Sequence, residues 1–149
     1  MRIGIDAQFL GPKDKGLGVY TENLIKNLKK IDKENQYFIL EYRGLKRHLV
    51  MPFKIKRLNL DLVHFTYSNV PILYRGKFVV TIHDLVFSHI SFFKRLVYKI
   101  ILKSALKRAD KIIAVSEYTK RDILKHYPTK KGAGAINLDK IKVIYEGIR

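Results

Sequence analysis

His83-Asp84, directly after the apolar run at residues 78–82, is the pair whose chemistry is easiest to name. A neutral imidazole can orient or polarise a hydroxyl, and a carboxylate can accept the proton of an attacking hydroxyl or hold a polar ligand. The same two residues also suit a histidine hydrogen-bonded beneath a loop and an aspartate capping a turn. Position alone leaves both readings open. Other polar residues close short apolar runs in the same way: His64 follows residues 60–63, Ser116-Glu117 follows 112–115 and Glu146-Gly147 follows 141–145. His64 reads first as a packing or hydrogen-bonding residue at a strand end, with ligand contact the lesser reading.

Gly16-Leu17-Gly18 precedes a stretch of helical periodicity. Glycines let a backbone approach a ligand closely, and the N–H groups at a helix N-terminus attract phosphate. The third glycine of a dinucleotide fingerprint is replaced by Thr21, and no acidic residue follows in the expected pattern. By itself the motif reads as a plain glycine loop, begun at Gly11, before a helix.

These residues need a scaffold that brings strand ends together. Residues 2–6, 36–41, 60–65, 78–82, 111–115 and 140–145 are short apolar runs rich in β-branched or aromatic residues, and they predict strands. Between them Tyr20, Leu24, Leu28 and Ile31 recur at helical spacing, with Lys26, Lys29 and Lys30 facing away. Phe92, Phe93, Leu96, Val97, Ile100, Ile101 and Ala105 form a second apolar stripe, with Lys94, Arg95, Lys99, Lys103 and Lys107 largely off it. Ser116 is a good N-cap for a third helix ending near Tyr127-Pro128. Residues 129–135 read as a flexible basic loop. Strands alternating with helices imply crossovers and a parallel sheet: an α/β, doubly wound domain over residues 1–149. Ligands of such sheets bind outside the carboxyl ends of the strands, where the polar residues fall.

Composition narrows the function. The chain has no cysteine, so neither a disulfide framework nor a thiolate metal site is possible. Its five histidines lack HExxH-like pairing, which argues against a zinc enzyme. No apolar run approaches the ~18 residues that span a bilayer, and a cytoplasmic protein is expected. Thirty basic against thirteen acidic residues give a formal charge of +17, a field that favours nucleic acid, anionic lipid or phosphorylated substrates. The stripe at residues 92–105 reads as the packed face of a crossover helix, its lysines solvated. An interfacial membrane helix is the alternative. Residues 43–56, broken by Pro52, read as irregular or a short edge strand. There Lys46, Arg47, Lys54, Lys56 and Arg57 interleave with Leu49, Met51, Phe53 and Ile55, with no evident core role. That segment is the better candidate for a membrane or acceptor surface.

Five motifs together resemble one family. Ile3-Gly4-Ile5-Asp6-Ala7, Gly16-Leu17-Gly18-Val19-Tyr20-Thr21 and Val80-Thr81-Ile82-His83-Asp84-Leu85 resemble segments of the family 4 retaining glycosyltransferases of GT-B fold. So do the stretch at residues 109–117, which ends Ala114-Val115-Ser116-Glu117, and Ile144-Tyr145-Glu146-Gly147-Ile148. The order and spacing match the family across nearly the whole chain. The resemblance implies a Rossmann-like N-terminal half of a GT-B enzyme. It places Gly16, Leu17 and Gly18 near the donor diphosphate, His83 against the donor sugar with Ser116 beside it, and Asp84 with His83 as the catalytic pair. His64 and Tyr20 are then the acceptor-side candidates.

The implied substrates are a nucleotide-sugar donor (a UDP- or GDP-hexose) and a glycan or lipid-linked acceptor, with no cofactor or metal. The implied route is front-face transfer with retention, driven by stabilisation of the leaving phosphate. The nucleotide pocket, phosphate clamp and paired-glutamate motif belong to the family's second domain and do not occur in these residues. The chain is therefore expected to need a C-terminal glycosyltransferase domain, in cis or in trans. Two other readings remain: an accessory subunit that binds a membrane or partner, and a basic nucleic-acid-binding protein. No nucleic-acid motif supports the latter.

Overall fold

The apolar runs and helical stripes fold into alternating strands and helices in the computed structural model, which describes residues 1–10, 15–85, 91–127 and 136–147. β1 (Arg2–Asp6) leads through α1 (Lys15–Ile31) to β2 (Gln36–Leu40). Two short helices, α2 (Gly44–Leu49) and α3 (Met51–Arg57), precede β3 (Leu62–Phe65) and β4 (Phe78–Ile82). Then come α4 (Phe92–Arg108), β5 (Lys111–Ala114), α5 (Glu117–His126) and, after a 3-10 turn at Leu138–Lys140, β6 (Ile141–Val143). Every strand pairing is parallel, in the order β2-β1-β3-β4-β5-β6. From β1 the chain steps one way to β2, then reverses to lay down β3 to β6. This is the doubly wound, Rossmann-like sheet implied by the sequence. Gly11, Pro128, Ile148 and the loop expected at residues 129–135 lie outside the described residues.

Alternation along the strands sorts the side chains onto two faces. Val63, Phe65, Val80, Ile82, Ile112 and Ala114 join Met51 and Ile55 of α3, Leu102, Ala105 and Leu106 of α4 and Ile123 of α5 in one core cluster. Ile5, paired in register with His64, and Thr81 point to the opposite face, where α1 meets the sheet through Tyr20.

Three expectations are corrected. Gly16 and Gly18 belong to the first turn of α1 rather than to a loop before it. Residues 43–56 are helical, because Pro52 sits in the first turn of α3, where its missing N–H has no intrahelical partner to lose. Arg47, Met51 and Ile55, spaced i, i+4 and i+8, are all buried, so the segment does have a core role.

The third correction is the largest. Most of the α4 stripe expected to pack on the sheet faces outward: Phe93 is 78% exposed, Leu96 51% and Ile100 57%, while its last member, Ala105, is buried. The face that packs is Leu102, Ala105 and Leu106, continued by half-buried Tyr98. Basic side chains are exposed along α1, α3 and α4 alike, rather than gathered on residues 43–57. No described helix is long and apolar enough to cross a membrane.

Candidate functional site

The strand order makes a crevice before any side chain is considered. β1 lies between β2 and β3, and the connections leaving β1 and β3 diverge, which opens space above their carboxyl ends. Beneath it Asp6 ends β1 and Arg47 of α2 grips it with two contacts of 2.5 and 2.6 Å, both residues fully buried. The Arg47 Nε–H also donates to the Asn69 carbonyl at 2.8 Å, tying the loop after β3 to the same floor. Burial pushes the Asp6 carboxyl up, and the guanidinium pulls it back toward the ionised form. Two buried polar atoms at this crevice, Gln8 Nε2 and Asn69 Oδ1, have no hydrogen-bond partner. Each such orphan costs about 1–3 kcal/mol, which a hydroxyl-bearing ligand could offset.

His83 leaves β4 at the same edge. Its Nε2 lies 2.9 Å from the Thr66 carbonyl oxygen, which can only accept, so that nitrogen carries a proton. Its Nδ1 lies 2.5 Å from Glu146 Oε1. The partner arrives because the chain leaving β6 continues alongside β5, where the Ile144 N–H donates to the Ala114 carbonyl at 3.0 Å, and so reaches the carboxyl edge at which His83 leaves β4. His83 is thus an imidazole held between a carbonyl and a carboxylate, and of the two side chains Glu146 is the more exposed, at 45% against 11%.

Tyr20 packs edge-on against the His83 ring, centroids 4.8 Å apart, and its hydroxyl meets Thr81 Oγ1 at 3.1 Å. The same Thr81 hydroxyl lies 2.8 Å from His64 Nε2. Burial, and then the neighbouring His83, push the His64 pKa down to about 4, so this ring is neutral at physiological pH. His64 thus sits at a strand end two hydrogen bonds behind Tyr20, with Thr81 between them.

Ser116 caps α5: its Oγ accepts the Thr119 N–H at 3.0 Å and lies 2.9 Å from the Thr119 hydroxyl. Thr119 in turn donates to the His83 carbonyl at 3.1 Å. Ser116 thus supports His83 through Thr119. Asp84 is exposed on the other side, near Tyr98 of α4, whose hydroxyl is pushed up mainly by burial and in smaller part by the Asp84 charge.

A pocket of about 640 Å³ opens beside this cluster. Gly16, Tyr20, Asn23 and Asn27 of α1 line one wall, and Tyr145 and Glu146 line the other. A Cβ on Gly16 would meet nothing within 4 Å, so this glycine leaves the wall open rather than relieving a clash. The described lining holds aromatic rings, two amides and one carboxylate, with no basic side chain. Of the residues singled out in the sequence, Gly16 and Tyr20 reach the pocket, and His83 stands behind Glu146. Leu17, Gly18, His64, Asp84 and Ser116 are not among its lining residues. Among the described residues no three histidine, aspartate or glutamate side chains gather to hold a metal.

Sequence reasoning missed Asn23, Asn27, the Glu146 partnership and the Asp6–Arg47 floor. The asparagines carried a signal: they lie at i+3 and i+7 from Tyr20, on one helical face. Arg47 carried another, four and eight residues before Met51 and Ile55. Glu146 was marked by its place at a strand end, but its partnership carried no signal, because it lies 63 residues from His83 and only the topology joins them.

The family model described as Glycosyltransferase Family 4 matches residues 34–149, most of the chain. The match takes in His83, Ser116 and Glu146 and begins after the α1 wall of the pocket. No curated protein matches the chain.

Proposed function

The chain belongs to glycosyltransferase family 4, and on that premise we propose that it is the acceptor-side domain of a retaining glycosyltransferase. The proposed reaction moves a hexose from a UDP- or GDP-sugar to a glycan or lipid-linked acceptor, completed by a C-terminal donor-binding domain in cis or in trans. One observation carries this reading: the pocket between α1 and residues 144–147 sets two tyrosine rings, two amides and a single carboxylate among the aliphatic side chains of Val19, Leu24 and Ile144. Amides and a carboxylate match the paired donor and acceptor character of sugar hydroxyls, and aromatic faces cover the apolar faces of a pyranose ring. The absence of basic side chains from the described lining suits a sugar better than a diphosphate, whose clamp would come from the second domain.

In this reading Glu146 meets the sugar hydroxyl and His83 sets the position of Glu146. Gly16, Leu17 and Gly18 bring the N-terminus of α1 toward the donor phosphates, and Ser116 steadies His83 through Thr119. His64 and Tyr20 fix the acceptor wall, and Asp84 acts with His83 on the reacting hydroxyl.

The test pairs turnover with stability. In an enzyme completed by a donor-binding domain, Glu146→Gln and His83→Ala should each lower turnover about a hundredfold. Melting temperature should barely change. Unchanged turnover with a lowered melting temperature would return both residues to a structural role. Turnover of a nucleotide-hexose by this chain alone would overturn the two-domain reading.

A further inference from the structure

α4 is apolar on two opposite faces. One face runs through Tyr98, Leu102, Ala105, Leu106 and Ala109 and packs on the sheet. The other runs through Phe93, Leu96, Val97 and Ile100, spaced i, i+3, i+4 and i+7, and every one of these is more than half exposed. At 100° per residue Phe93 and Ile100 point away from Leu102, so no adjustment of the packed face would cover them. The helix carries six basic residues and no acidic one. Lys94 flanks the exposed stripe on one side and Lys99 and Lys103 on the other, and Lys107 prolongs it; all four are exposed. The stripe also has a definite place. α4 follows β4 from the carboxyl edge, and the Tyr98 hydroxyl pairs with Ser68 in the loop leaving β3, so the apolar turns lie at the pocket's end of the domain.

We propose that this outward face of α4 docks the domain on an anionic bilayer. An apolar ridge about 10 Å long, bordered by lysines, is what an interfacial helix presents: rings and aliphatic chains enter the acyl boundary while lysine stems reach up to the headgroups. Charge chooses the occupant. A second copy docked by two-fold symmetry would bring the four lysines bordering one α4 stripe against the same four on the other, with no carboxylate on either helix to pair them. A surface of anionic headgroups places counter-charge wherever a lysine falls. The functional consequence, a carboxyl edge held beside a lipid-linked acceptor, rests on the transfer reading above; the docking itself does not.

The experiment is vesicle flotation of the full chain, phosphatidylcholine alone against phosphatidylcholine with phosphatidylglycerol, with melting temperature and sedimentation velocity measured alongside. Binding should require the anionic lipid and weaken with salt. Joint Phe93→Ser, Leu96→Ser and Ile100→Ser should abolish it without lowering the melting temperature, since these side chains are solvated. Joint Lys94→Gln, Lys99→Gln, Lys103→Gln and Lys107→Gln should weaken it roughly a hundredfold. Lys26→Gln, Lys29→Gln and Lys30→Gln on α1 should leave it nearly unchanged. Failure to bind anionic vesicles would overturn the proposal, as would equal losses from the α1 and α4 lysine sets. A dimer dissolved by the apolar substitutions would assign the face to a second copy. Loss of docking with transfer to a soluble glycan intact, in an enzyme completed by a donor-binding domain, would leave the proposed function standing.

Discussion

The segment containing α2 and α3 and the helix α4 look alike as sequence: both are lysine-rich, both interleave apolar residues, and neither contains an acid. The structure uses them in opposite ways. α2 and α3 turn Arg47, Met51 and Ile55 inward and make a floor for the crevice, whereas α4 leaves its aromatic stripe in solvent. The difference lies in how far each apolar face extends. The stripe through Phe93, Leu96, Val97 and Ile100 runs into Lys103 and Lys107 in the next two turns, while the Tyr98, Leu102, Ala105, Leu106 and Ala109 face stays apolar to the end of the helix. A sheet several strands wide selects the longer face. α2 and α3 also leave apolar residues in solvent, Leu45, Leu49 and Phe53 at i, i+4 and i+8, but the face they bury includes an arginine because a buried carboxylate waits for it.

Removing a basic residue from each region tests the contrast most severely. Arg47→Ala leaves Asp6 buried without its partner and should cost about 3–5 kcal/mol. Lys103→Ala, the same loss of charge on exposed α4, should stay within about 0.5 kcal/mol. Urea denaturation of the two variants measures both. Comparable losses would mean that the Asp6–Arg47 pair is not the enclosed ion pair described above. Adding Asp6→Asn to Arg47→Ala should recover part of the loss, since the unpaired charge is then gone.

A second pair of variants sharpens the contrast within α4 itself. Leu102→Ala removes a fully buried side chain and should cost about 3 kcal/mol, through lost transfer energy and the cavity left behind. Leu96→Ala, six residues earlier, should change stability by less than about 0.5 kcal/mol. The reverse pattern in thermal or urea unfolding would restore the packing that sequence periodicity suggested.

That periodicity shows where legibility ended. Strands were legible because each is a compact apolar run, and the polar residues at their carboxyl ends marked the site edge before the topology was known. Helix faces were legible only where a single apolar stripe exists, as in α1. α4 has two, and spacing cannot rank them without the width of the sheet. Residues 43–56 were obscured by Pro52, which breaks a helix interior but begins a helix equally well. The pairings that build the site, Asp6 with Arg47 and His83 with Glu146, span 41 and 63 residues, and local pattern carries no information across such distances.

The smallest of the three large losses belongs to a group that neither segment touches. His64 sits on the opposite sheet face, in contact with Thr81 and below Tyr20, and burial holds its pKa near 4 against an ordinary 6.5. A depressed histidine favours the neutral ring in the folded state. Above pH 6.5 both folded and unfolded chains carry that ring neutral, and stability is complete. As pH falls from about 6.5 toward 4 the unfolded chain binds the proton first, so stability drains away across that window. The loss should total on the order of 2 to 3 kcal/mol by pH 4, read from urea midpoints at pH 7.5, 5.5 and 4. His64→Gln should flatten the slope, because glutamine has no proton to gain. The Leu96→Ala and Lys103→Ala variants should keep it, since α4 lies across the sheet from the ring. Were the slope to survive His64→Gln, the titrating group would have to be sought elsewhere, with His48, whose pKa burial and then Arg47 also push down, the first to examine.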